Sequence, residues 1–144
     1  MKPGYKILIA IGISIILYKY INYNSQEKEL VNKKINNLIT DIRREDYFAI
    51  QNLLSSKLAQ SISIEDIKSF TKDLNLTRDS KFILTNYNKD KNIIKVNGNI
   101  VLKSKKLPLK IIYQENNGTL QILEQIIGSK VLKSKKYTFP LNTK

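Results

Sequence analysis

Side chains able to do chemistry are few in this chain, and the missing ones restrict it most. None of the 144 residues is histidine or cysteine. That removes the commonest general base and metal ligand near neutral pH, along with thiolate nucleophiles, thiolate zinc sites and disulfides. Ser-His-Asp triads and zinc-hydrolase motifs are excluded. The candidates left are three tyrosines, Tyr47, Tyr87 and Tyr113, and three carboxylates, Asp41, Glu45 and Asp46. Tyrosine and aspartate can handle protons when an apolar cavity shifts their pKa values. The same residues also have plain structural roles: tyrosine fills a core and sends its hydroxyl to the edge, and acids cap helices or pair at the surface. None of them sits in a catalytic motif, and no catalytic residue is assigned. Gly98 and Gly118 read as a strand bulge and a hairpin turn, so no glycine-rich phosphate loop is present. The acids are too scattered for a calcium loop. No metal or cofactor is expected.

The second kind of chemistry is electrostatic. The chain carries 25 Lys and Arg against 12 Asp and Glu, a net charge of +13. Residues 1–23 hold three Lys and no acid, residues 24–80 hold nine charges of each sign, and residues 81–144 hold thirteen Lys against three acids. A basic half suits nucleic acid, anionic lipid or an acidic protein surface. Only Arg43, Arg44 and Arg78 are arginines, whereas base-reading proteins lean on arginine for bidentate contacts. Specific nucleic-acid binding is therefore not expected. Lys, Ile and Asn are also the residues that A/T-rich codons favour, so part of the lysine content needs no functional account.

The hexapeptide VLKSKK occurs twice, at 101–106 and 131–136. If 104–106 turn one hairpin and 116–118 the next, both copies reach the same end of the sheet. Lys103, Lys105, Lys106, Lys130, Lys133, Lys135 and Lys136 then form a candidate anion-binding cluster. It would attract anionic lipid headgroups or an acidic partner, at on the order of 1 kcal/mol per lysine near an anionic surface. The second copy is read as the start of a basic C-terminal extension, 129–144, that continues the last strand.

The elements that position these groups follow from hydrophobic periodicity. Lys6 and Lys19 bracket twelve uncharged residues, with Tyr5, Tyr18, Tyr20 and Tyr23 at the ends. Lysine snorkelling and interfacial tyrosines extend that core towards the length of a membrane crossing. A cleaved signal peptide would want small residues after the core, where Tyr18, Lys19, Tyr20 and Ile21 stand instead. A soluble core helix would want a polar face, and Ile7 to Leu17 is apolar all round apart from Gly12 and Ser14. The expectation is an uncleaved anchor, residues 1–23. Lys2 and Lys6 precede it, which predicts a cytoplasmic N-terminus and an extracytoplasmic domain of a single-pass cell-membrane protein.

Residues 24–128 read as one α+β domain. Leu30, Val31, Ile35, Leu38, Ile39 and Ile42 lie at helical spacing. Asp46 can cap a second helix through DYFAIQNLLSSKLAQ, and Ser63 with Asp66 and the Ile62/Ile67 pair mark the start of a third. Four β-rich runs follow, at 81–88, 92–103, 107–115 and 119–127, separated by NKDKN, SKK and NNG. The expected fold is α+β: an N-terminal membrane helix, then three helices packed on a curved four-stranded antiparallel sheet.

This order of elements, with the acidic-aromatic step Glu45, Asp46, Tyr47, Phe48, the Leu53-Leu54 pair and the IS-x-E-D cap, resembles the nuclear transport factor two-like superfamily of cone-shaped α+β domains. The resemblance covers about residues 26–128 and rests on element order. It implies a cone between helices and sheet, in which enzymes of the superfamily place their acid and base groups. Tyr47, Tyr87 and Tyr113 are the candidate cavity residues on that reading. The superfamily also contains membrane-anchored assembly components, so it implies a fold more firmly than a function. Two functions remain open at this point. One is a membrane-anchored extracytoplasmic interaction or assembly module. The other is a domain that binds or transforms a small apolar ligand in the cone.

Overall fold

The computed structural model describes residues 3–134, with side chains from residue 7 onward. The chain divides into two compact units, residues 1–34 and 35–144.

In the first unit the backbone is helical from Pro3, as the start of α1 (Pro3–Arg43). No Gly or Pro interrupts the helix between Gly12 and Arg43, so the expected anchor and first amphipathic helix are one uninterrupted element. The large apolar residues from Ile7 to Tyr23 are 44–69% exposed. Ser14 satisfies itself by donating to the carbonyl of Ala10, 2.8 Å away, the usual way an isolated hydroxyl is accommodated in an apolar helix. This helix is long and apolar enough to cross a membrane.

The second unit is an α+β domain, as expected, with a different division into elements. Its core includes Ile35, Leu38, Ile39 and Ile42 from the last turns of α1, all buried. The helix ends on Glu45, whose φ of 58° is left-handed. The Glu45 amide donates to Ile42 O (3.1 Å) and the Asp46 amide to Asp41 O (3.0 Å), which closes the orphan carbonyls in the Schellman pattern. Asp46 then caps α2 (Tyr47–Asn52) by accepting from the Ala49 amide at 3.1 Å.

The second predicted helix is two helices, α2 and α3 (Ser56–Ser61). The break is imposed from outside. The Ser55 amide donates to Ile122 O (2.8 Å) and the Ile122 amide to Leu53 O (2.9 Å), with Leu54 bridged in parallel to Ile122. Pairing with a strand edge here outweighs local helix propensity. The predicted cap of the last helix, α4 (Ile64–Thr71), is present in full. The Asp66 amide donates to Ser63 Oγ (3.1 Å), the Ser63 amide donates back to Asp66 Oδ2 (2.9 Å), and Ile62 and Ile67 are both buried.

The sheet is an antiparallel meander of five strands, β1 (Lys81–Asp90), β2 (Ile93–Val101), β3 (Lys106–Asn116), β4 (Thr119–Ile127) and β5 (Lys130–Lys133), in that spatial order. The expected count of four omits β5. Gly128 and Ser129 form a tight turn, with Gly128 at φ 61°, and Lys130 returns opposite Ile127. Residues 130–133 of the basic C-terminal stretch therefore fold back beside β4 instead of prolonging it. Pro108 fits inside β3 because its carbonyl accepts from Gly128 at 2.8 Å. An antiparallel residue points its N–H and C=O to the same side, so the missing N–H falls at the end of β4 and spares the β2 ladder.

The inner face carries Phe82, Ile94, Val96, Ile100, Leu109, Ile111, Ile122 and Ile127, all buried. Each such side chain contributes about 1.5–3 kcal/mol on leaving water. Two bulges keep the faces in phase. In β1 the register shifts between Leu84 and Asn86, opposite Gly98, so the bulge expected at Gly98 lies on the partner strand. A Cβ on Gly98 would stand 2.4 Å from the Phe82 ring and 2.3 Å from Ile83 O; the glycine is there to let β1 approach. In β4 the shift falls opposite Ile112 and Tyr113. Ile122 and Ile127 both face inward and are an odd number of residues apart, so one residue between them must break the alternation. Its position sends neutral Gln125 into the core and leaves Glu124 on the outer face, which is the cheaper of the two burials.

Candidate interaction site

Among the described residues, the lysines of the candidate cluster lie at separate places on the sheet. In the first copy, Lys103 and Lys105 lie in the β2–β3 turn, closed by the Leu102 amide donating to Lys105 O at 2.9 Å. Lys106 opens β3 opposite Val101. All three are exposed. Beside the second copy, Lys130 pairs with Ile127, which pairs with Leu109. Lys130 is thus displaced by three residues, about 10 Å, along the β3 direction from Lys106. Its ammonium donates to Ser69 O (3.4 Å) and to Lys72 O, the carbonyls where α4 ends. Lys133 pairs with Glu124, a further ~10 Å from the Lys106 end because β5 runs back along the sheet. Lys135 and Lys136 lie outside the described residues.

The three tyrosines are likewise apart. Tyr113 is 3% exposed on the inner face, and burial pushes its phenol above the ordinary value of 10. Tyr87 pairs with Val96 and shares that face, half-buried and two strands away. Tyr47 lines a separate cleft of about 490 Å³ with Arg43, Lys68, Asp73 and Asn75. There the Lys68 ammonium stands 5.6 Å from the Tyr47 ring centre and 3.2 Å from Glu65 Oε1. Glu45, Asp73 and Asn75, which also line it, are all left-handed, at φ 58°, 63° and 53°. Of the candidate carboxylates, Asp41 is raised above its ordinary value, first by burial and then by the Asp46 charge, against the opposing pull of Arg44. Asp46 is engaged as the cap of α2. Tyr113 and Asp41 do not share a cleft with Tyr47 in this arrangement.

A grouping that inspection of the sequence misses lies on the outer face of the sheet. Lys95, Ile112, Glu124 and Lys133 form one row across β2 to β5, and Asn97, Lys110, Ile126 and Val131 form the next. An open groove of about 590 Å³ lies on this face, lined by the apolar Ile93, Ile112 and Leu123, by Lys95, Lys110, Lys133 and Glu124, and at one side by Ser55, Lys57 and Leu58 of α3. The alternation of β2 and β3 could have put Lys95 and Lys110 outward. Bringing Lys133 beside them requires β5, and that strand depends on the Gly128-Ser129 turn.

Comparison of the chain with protein-family models, with curated proteins and with solved structures finds no match. Fold and surfaces together define an α+β domain preceded in the chain by a helix long and apolar enough to span a membrane.

Proposed function

We propose that this chain is a single-pass membrane protein whose α+β domain faces away from the cytoplasm and acts as an interaction or assembly module for acidic surfaces. The observation that carries the reading is the contrast between the interior and the outer surface of the domain. The space between helices and sheet is filled by Ile and Leu side chains, with Ile35, Ile50, Ile67, Ile100, Ile111 and Ile127 fully buried. The outer sheet face instead presents open apolar floor between lysines. A ligand-transforming cone needs the reverse, an open interior with polar groups converging in it. The exposed apolar surface from Ile7 to Tyr23 supports the membrane part, since contiguous apolar surface of this extent needs a non-aqueous surrounding. Lys103, Lys105 and Lys106 at the β2–β3 turn add cations that a nearby anionic surface would attract. The resemblance to the nuclear transport factor two-like superfamily is proposed as one of fold alone.

Fractionation and crosslinking test this directly. The tagged full-length chain should stay with membranes through high-salt and alkaline washes, and protease added from the extracytoplasmic side should digest the domain. Crosslinking in intact membranes should trap a discrete complex. Release by salt alone, protection from external protease, or monomeric chain as the sole crosslinked species would each overturn the reading.

A further inference from the structure

We infer that the outer face of the sheet is a seat for an amphipathic helix of a partner protein, with an apolar stripe flanked on both sides by Asp or Glu. This deepens the module reading and rests on it. Helices of this chain cover one face of the sheet, and strand alternation would make the other face polar if it met only water. It is not. Ile93, Ile112, Leu123 and Ile126 are half-buried there and Val131 is 48% exposed, a strip of apolar surface that runs diagonally across the sheet from β2 to β5.

The charges say what covers it. Lys95 on β2 and Lys133 on β5 end the same cross-strand row, with Ile112 and Glu124 between them. Three strand spacings put them about 14 Å apart. An α-helix with its side chains is about 10–12 Å across, so a helix laid along the diagonal strip has Lys95 and Lys110 on one side and Lys133, beside Glu124, on the other. Acidic residues flanking an apolar stripe would meet these lysines while the stripe rests on Ile112 and Leu123. The chain itself is a poor occupant. Residues 135–144 contain three lysines and no acid, and a second copy brings another net charge of +13. An anionic bilayer surface would engage the lysines but leave the groove floor against water.

The test uses the full-length chain in detergent micelles and a synthetic helical peptide of about five turns, with a Leu stripe flanked by Glu. A matched peptide carries Lys in place of Glu, and phosphatidylglycerol vesicles form the third arm. The Glu-flanked peptide should bind and perturb the backbone signals of Ile112 and Leu123. The combined charge reversal Lys95→Glu, Lys110→Glu and Lys133→Glu should weaken it at least about tenfold. The reversed protein should instead bind the Lys-flanked peptide, which also shows that it is folded. No binding of the Glu-flanked peptide, binding insensitive to the reversal, or a lysine-dependent vesicle interaction without peptide binding would each overturn the proposal. If a crosslinked membrane complex persists in the reversed variant, the module reading stands and the outer face is not its docking surface.

Discussion

The ammonium of Lys130, the first residue of β5, donates to the carbonyl oxygen of Ser69 at 3.4 Å and also to that of Lys72, where α4 ends. A cation at a helix C-terminus meets the negative end of the dipole and carbonyls that have no partner within the helix. The interaction joins β5 to the helical layer, which explains how a four-residue edge strand holds its place. It also separates Lys130 from the other lysines of the candidate cluster, since its charge is used inside the domain. Lys130→Met should lower unfolding stability by about 0.5–1 kcal/mol, read from the urea midpoint of the full chain in micelles. Lys133→Met should leave that midpoint nearly unchanged. Equal effects would mean that the α4 contact contributes nothing.

Gly98 and Phe82 approach each other too closely to leave room for a side chain at position 98. The 2.4 Å between a Cβ at position 98 and the Phe82 ring could be relieved by turning the ring, but the 2.3 Å to Ile83 O is a clash with backbone. Gly98→Ala should therefore cost about 2–3 kcal/mol or more. Adding Phe82→Leu should not restore the loss, because the carbonyl remains. Full rescue by that second change would place the strain in the side chain alone.

How much of this could be read in advance depends on the range of the interaction that decides each element. The capping box of Ser63 and Asp66 and the Asn117-Gly118 turn are local, and both were readable. The Gly128-Ser129 turn is local too. Flanked by Ile126-Ile127 and Val131-Leu132, it is an ordinary two-residue hairpin signal, masked by the lysine repeat that follows. The break between α2 and α3 has no such local sign. Leu53 to Ser55 leave the helix because Ile122, nearly seventy residues later, offers a free strand edge. The outer-face lysines were hidden for the same reason. Lys95, Lys110 and Lys133 come together only through a register that includes a bulge and a strand of four residues.

Asp41 provides a pH signature for the end of α1. Burial, and then the neighbouring Asp46 carboxylate, raise its folded-state pKa above 3.8, while Arg44 pulls the other way. A raised carboxyl pKa means that the folded state holds the proton more tightly than the unfolded chain. The associated stability is present below about pH 4 and is lost as pH rises through the raised value. Asp41→Asn should therefore stabilise the domain at neutral pH, and its advantage should shrink as the pH falls through the raised value and be gone below about 4. Urea midpoints of both proteins across that range decide the matter. An advantage that grows on acidification would show that Asp41 is stabilised as a carboxylate.

Gln125 is fully buried on the inner face, opposite Ile111 and Leu132, and neither its Oε1 nor its Nε2 has a hydrogen-bond partner among the described residues. An amide desolvated without compensation costs about 1–3 kcal/mol, and replacing it with an apolar group of similar shape removes that cost. Gln125→Leu should therefore raise stability by about 1–2 kcal/mol. Gln125→Ala should lower it, since the space left open loses packing. The comparison separates two accounts of the residue. If the bulge in β4 merely forces one polar side chain inward, the leucine variant is more stable and binds the Glu-flanked peptide as the parent does. If the leucine variant is instead less stable, the amide is being satisfied in the native protein, and the core holds a polar guest that the filled interior otherwise argues against.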